Sequence, residues 1–146
     1  MWIVTSEIHS DPIPAVPVFS WPIRVYWEDT DAGGVVYHAS YVRFLERART
    51  EWLRALGVHQ TTLRDRDDVV LAVRELHLDY LKPARLDDEL VATAVLRDPR
   101  PASFRVVQEL RRGDECLLQA EAKIACLKAS EFRPRALPDW LLAALR

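Results

Sequence analysis

The chain has 146 residues, of which 49% are hydrophobic and 29% charged, with a formal net charge of -2. This length and balance describe one globular domain with enough apolar material for a core, and leave no room for a second large one. A near-neutral charge without a basic block argues against a nucleic-acid or anionic-membrane binder.

Residues 1–20 carry Pro12, Pro14 and Pro17 among mixed polar and apolar positions and read as an extended N-terminal tail to which no chemistry is assigned. The chain does not open with a basic segment and an apolar core, and no run approaches the roughly 18 apolar residues of a membrane span, so a cytoplasmic protein is expected. Residues 21–130 form the expected domain. Its first strand is Ile23-Arg24-Val25-Tyr26-Trp27, β-branched and aromatic with partial alternation. After an Asp/Gly-rich turn, Tyr41, Phe44, Leu45, Ala48, Trp52, Ala55 and Leu56 recur at helical spacing, with Arg43, Glu46, Arg47, Arg49, Glu51 and Arg54 between them. Ser40 is the expected N-cap of that helix and Gly57 its stop.

Beyond about residue 68 the period changes to 2. Leu76, Leu78 and Tyr80 alternate with His77 and Asp79, and Leu90, Ala92, Ala94 and Leu96 with Val91, Thr93 and Val95. Two further strands run from Phe104 to Leu110 and from Cys116 to Cys126, joined by an Arg112-Gly113-Asp114 hairpin turn. In the last strand Cys116, Leu118, Ala120, Ala122, Ile124 and Cys126 are expected on one face, and Glu115, Gln119, Glu121 and Lys123 on the other. The two cysteines then serve packing as free thiols in a reducing compartment. Residues 131–146 read as a C-terminal extension with a short helix over Asp139 to Leu145. The order strand, helix, four strands predicts an α+β domain, an antiparallel five-stranded sheet with one long helix on its apolar face.

The chemistry concentrates in Glu28-Asp29-Thr30-Asp31-Ala32-Gly33-Gly34-Val35-Val36-Tyr37-His38-Ala39-Ser40-Tyr41, which sets two aspartates, two glycines and a histidine directly before the helix. A helix start exposes unpaired N–H groups and the positive end of the helix dipole, suited to an oxygen that gains negative charge during a reaction. Asp31 supplies the reactive carboxylate. Asp29 is expected to point away from Asp31 and reads as structural, held by backbone amides. Gly33 and Gly34 permit tight backbone and close approach of a substrate. His9, His59 and His77 lack ligand spacing, so no metal site is expected.

This stretch, with Phe44-Leu45-Glu46-Arg47-Ala48-Arg49-Thr50-Glu51-Trp52-Leu53 and Leu78-Asp79-Tyr80-Leu81-Lys82-Pro83-Ala84, resembles the hot-dog-fold acyl-CoA thioesterases. The similarity is to the 4-hydroxybenzoyl-CoA thioesterase-like branch that includes the Tol-Pal-associated enzymes, and it spans roughly residues 21 to 130. Asp87-Asp88 stands where relatives often carry Gly-Asp, a difference confined to a turn. The resemblance implies a sheet wrapped around the helix, sheets paired edge to edge in a homodimer that can pair again into a homotetramer, and an active site at the dimer interface.

It further implies that Asp31 acts on a thioester carbonyl, as a nucleophile forming a mixed anhydride or as a general base on water. The backbone N–H at His38 or its neighbours polarises that carbonyl. The His38 ring either orients Asp31 or the water, or satisfies a local hydrogen bond, and Tyr37 forms pocket wall. Tyr41, Phe44 and Leu45 are expected along the acyl group. Lys82, Arg85, Arg111 and Arg112 are candidates for the coenzyme A phosphates. Coenzyme A belongs to the substrate, so no separate cofactor is expected, and an acyl carrier protein is an alternative thiol carrier. Two other functions fit parts of the pattern: a hot-dog dehydratase on acyl-carrier-protein substrates using His38 and Glu46, and a non-catalytic acyl-thioester-binding or scaffold protein.

Overall fold

A computed structural model describes residues 18–146; the tail expected over residues 1–20 lies outside the described residues up to residue 17. The first strand, β1, runs Phe19–Arg24 and pairs antiparallel with the later β3. It begins four residues earlier than the expected Ile23 and ends before Val25, because Pro22 is tolerated on an edge strand that has one neighbour only. A short 3-10 turn, Trp27–Asp29, replaces the expected end of the strand.

The long helix α1 spans Ser40–Ala55 and buries Tyr41, Phe44, Leu45, Ala48, Trp52 and Leu53. Ser40 is its first helical residue rather than its cap: Ala39 takes the N-cap position with no side-chain cap, and the Ser40 hydroxyl accepts from Arg43 Nη2 at 3.0 Å. Arg49, placed by sequence among the polar positions, is buried. It stands one turn after Leu45 and one before Trp52, on the same stripe, and its guanidinium donates to Gln108 Oε1 at 2.9 Å and Glu46 Oε2 at 2.8 Å. At the other end Gly57 adopts φ +81 and donates to the Arg54 carbonyl, while Val58 donates to that of Leu53. These paired bonds close the helix as a glycine C-cap does. A second helix, α2 (Gln60–Asp67), was not expected, since Leu63 is its single buried residue.

Four long strands follow: β2 (Val69–Tyr80), β3 (Glu89–Arg100), β4 (Ser103–Arg112) and β5 (Glu115–Lys128). The antiparallel sheet has the order β1-β3-β4-β5-β2, with a two-residue β6 (Arg133–Pro134) added to β5. Its five long strands match the expected sheet. α3 (Asp139–Leu145) lies where the short terminal helix was expected and buries Leu141 and Leu145 against the core.

The sheet curls around α1 because its inner face alternates small and large residues. Ala92, Ala94, Ala120 and Ala122 let the helix come close, and Leu90, Leu110 and Leu118 fill the flanks against Phe44 and Leu45. Phe44 and Leu45 are completely buried, so truncating either to alanine removes about 2–5 kcal/mol. One register differs from the expected alternation. A bulge opposite Leu110 and Arg111 places both Leu117 and Leu118 inside and turns Cys116 to the outer face, near Glu109, Arg111 and Asp79. Cys126 is buried in the core as expected.

Candidate active site

The segment between β1 and α1 is anchored at both ends by backbone. Val25 N–H donates to the Asp88 carbonyl at 3.0 Å, and Val36 N–H to that of Ala84 at 2.8 Å, tying the segment to the β2–β3 connection. Asp29 is buried and accepts the Tyr26 N–H through Oδ2 at 2.8 Å, which closes the 3-10 turn. It is a structural carboxylate.

Two residues on, the chain doubles back through a tight turn. Thr30 bridges to Val36, Asp31 N–H donates to the Val35 carbonyl at 3.0 Å, and Gly34 N–H to the Asp31 carbonyl at 3.0 Å. Gly34 takes φ +79, a conformation that costs a side-chain-bearing residue energy. Gly33 donates its N–H to Asp31 Oδ1 at 2.8 Å, and a Cβ at Gly33 would stand 3.0 Å from that oxygen. The glycine therefore lets backbone hold one carboxylate oxygen of an exposed Asp31 and leaves the other to solvent or a substrate.

After the turn, Tyr37 N–H donates to the Asp29 carbonyl and Ser40 N–H to the Tyr37 carbonyl, both at 2.8 Å, and α1 begins. The helix start carries no side-chain cap. Ser40 N–H and Val42 N–H are spent on the Tyr37 and Ala39 carbonyls, whereas the N–H groups of His38 and Ala39, just before the helix, donate to no backbone acceptor among the described residues.

Asp31 and His38 share one open cleft of about 550 Å³, lined also by Val35, Val36, Leu78, Asp79 and Tyr80. Its walls are mostly apolar, with carboxylates at Asp31 and Asp79 and no Lys or Arg among the lining residues. The Tyr80 hydroxyl donates to the His38 carbonyl at 2.7 Å. Burial, followed by the neighbouring Tyr41, raises the Tyr80 hydroxyl above the ordinary phenol range, so it stays a donor at neutral pH. Leu78, Asp79 and Tyr80 were not expected at the site. Their position at the end of an alternating strand, directly before Leu81-Lys82-Pro83-Ala84, was the available signal.

The other expected site residues take different places. Tyr37 is exposed, its ring centroid 4.5 Å from that of His38. Tyr41, Phe44 and Leu45 lie in the core and do not line the cleft; the Tyr41 hydroxyl accepts the Ala84 N–H at 2.9 Å. Lys82 pairs with Glu115 at 3.3 Å, Arg111 with Glu109 at 2.8 Å and Arg112 with Asp88 at 2.7 Å. Arg85 is exposed and makes no ion pair among the described residues. Glu46 is removed from His38, on a separate cavity of about 40 Å³ with Trp52 and Phe104.

A family model for the thioesterase-like superfamily matches residues 25–145. The chain belongs to the thioesterase-like superfamily. Within this family, the acyl-CoA thioesterase YbgC of Haemophilus influenzae is 44% identical over 126 residues, covering 86% of this chain and 93% of that protein. The acyl-CoA thioester hydrolase YbgC of Escherichia coli is 44% identical over 130 residues, or 88% and 96% of the two chains. Among solved structures, a probable thioesterase from Bartonella henselae superposes with a TM-score of 0.80 at 34% identity, covering 84% of this thioesterase and all of that chain.

Proposed function

We propose that this thioesterase hydrolyses acyl-CoA to a free carboxylic acid and coenzyme A, with Asp31 as the reacting carboxylate and the start of α1 polarising the thioester carbonyl. The observation that carries the proposal is the meeting, in one cleft, of Asp31 with His38, two residues before an α1 that has no side-chain cap. One Asp31 oxygen is held by Gly33 and the other is available to the carbonyl carbon or to a water beside it. As a nucleophile it adds to that carbon, the C–S bond breaks with departure of the thiolate, and water cleaves the resulting anhydride. As a general base it takes a proton from the water that adds instead. In both routes negative charge gathers on the carbonyl oxygen, where N–H donors at a helix start contribute a few kcal/mol.

The acyl group lies against Val35, Val36 and Leu78, and Arg85 with Lys82 reaches the coenzyme A phosphates. The acting unit is a dimer or a pair of dimers, with the cleft closed by a second copy. Both thiols are free, at Cys116 and Cys126, which fits a reducing cytoplasm.

Thiol release from short, medium, long and aromatic acyl-CoAs, and from an acyl carrier protein, tests this. Wild type turns over at least one of them, and Asp31→Asn lowers kcat/KM by about 10²–10⁴-fold with an unchanged melting temperature. Unaltered kcat/KM in Asp31→Asn would remove Asp31 from the mechanism.

A further inference from the structure

We propose that Tyr80 is a positioning residue for this reaction: its hydroxyl locks the peptide between His38 and Ala39, just before α1, and so aims an N–H that meets the thioester oxygen. The inference rests on the roles given above to Asp31 and the helix start. Tyr80 is the last residue of β2, and its hydroxyl reaches back to the His38 carbonyl at 2.7 Å. The preceding carbonyl, of Tyr37, accepts the Ser40 N–H at 2.8 Å. No peptide bond among the described residues is cis, so the C=O and N–H of each unit point in opposite directions. Engaging the Tyr37 carbonyl therefore aims the His38 N–H, and engaging the His38 carbonyl aims the Ala39 N–H. Neither N–H donates to an acceptor among the described residues.

The locking side chain is itself held. The Tyr80 ring meets Tyr41 edge to face, centroids 5.3 Å apart at an interplanar angle of 84°. Tyr41 is fixed in the core, its hydroxyl accepting the Ala84 N–H. A rigid path thus runs from the core through two aromatic rings to the peptide between His38 and Ala39. Without the phenol, the Tyr37 carbonyl remains engaged while the His38 carbonyl is released, and the second donor loses its direction. Donors aimed in advance stabilise developing charge because nothing must reorganise during the reaction.

Tyr80→Phe keeps the ring and its contact with Tyr41 while removing only the hydroxyl. On the best acyl-CoA, kcat should fall about tenfold, with KM within about threefold of wild type and the melting temperature retained. A second readout does not require turnover. In an Asp31→Asn background, the infrared band of a bound thioester labelled with carbon-13 at the carbonyl should lie below its solution frequency, and adding Tyr80→Phe should move it back upward. Wild-type kcat together with an unmoved band overturns the positioning role, as does a rise in KM at constant kcat. Either result, with Asp31→Asn still inactive, leaves the hydrolytic proposal standing; full activity in Asp31→Asn defeats that proposal first.

Discussion

Two aspartates separated by one residue have opposite fates here. Asp29 is buried and spends its carboxylate on a backbone N–H, whereas Asp31 is exposed on a turn and keeps an oxygen free. Strand alternation would set residues two apart on the same side; the 3-10 turn Trp27–Asp29, which ends at the first of them, is what separates them. Asp87 carries a cost that the sequence marked only as a departure from Gly-Asp. It adopts φ +68, which aspartate tolerates and a β-branched residue does not. Asp87→Val should destabilise the protein by about 1–2 kcal/mol in chemical denaturation, and Asp87→Gly should not. Equal stability of the two variants would show that the turn accommodates them by another backbone path. Arg49 was not legible in advance: nothing in the helical period indicates that Gln108, 59 residues away, supplies a buried acceptor for its guanidinium.

At the scale of elements, α1 was legible because its apolar stripe is long and ends at a glycine, whereas α2 was not, because one buried leucine makes no stripe. α2 is held by contacts from elsewhere. It ends at Asp68, in the left-handed region, whose carboxylate accepts the Ser130 hydroxyl at 2.7 Å and the Ser130 N–H at 2.8 Å. The Ser130 hydroxyl is the chief cause that holds the Asp68 carboxyl below the usual carboxylate range, with the Ser130 N–H and the charges of Lys128 and Arg135 adding to it against partial desolvation. A carboxyl depressed on folding stabilises the native state above its unfolded pKa of about 3.9, and that contribution is lost as pH falls through the folded value. Ser130→Ala should therefore lower the melting temperature at pH 7, and the gap from wild type should narrow as the pH drops below about 4. A gap that stays constant over that range would detach the effect from Asp68 ionisation.

At the scale of the whole molecule, the exposed edges bear on the proposed pairing of copies. β1 and β2 are the two outer long strands of an open sheet, residues 78–80 of β2 line the cleft, and Trp27, in the 3-10 turn before Asp31, is 81% exposed. Open edges and an exposed tryptophan favour association with a second copy. Light scattering on the eluting protein should give about two or four times the 16.8 kDa chain mass. A fully active species at the mass of one chain would defeat the shared-cleft proposal. No helix among the described residues is long and apolar enough to cross a membrane.

Strand and helix periods, the glycine stop and the Asp/Gly turn before the helix are local properties, so the sequence by itself determined the order of the five long strands, α1 and the terminal helix, the sheet-on-helix architecture, and the place of Asp31 on the turn before α1. Tertiary structure alone decided what depends on partners far along the chain. It moved Cys116 outward through a bulge set by β4, buried Arg49 against Gln108, and kept Tyr41 in the core while Tyr80 reached the cleft. It also joined the end of β2 to the start of α1 through one phenol, 42 residues from the carbonyl it holds. Periodicity states which side of an element a residue occupies; only packing states which distant atom waits on that side.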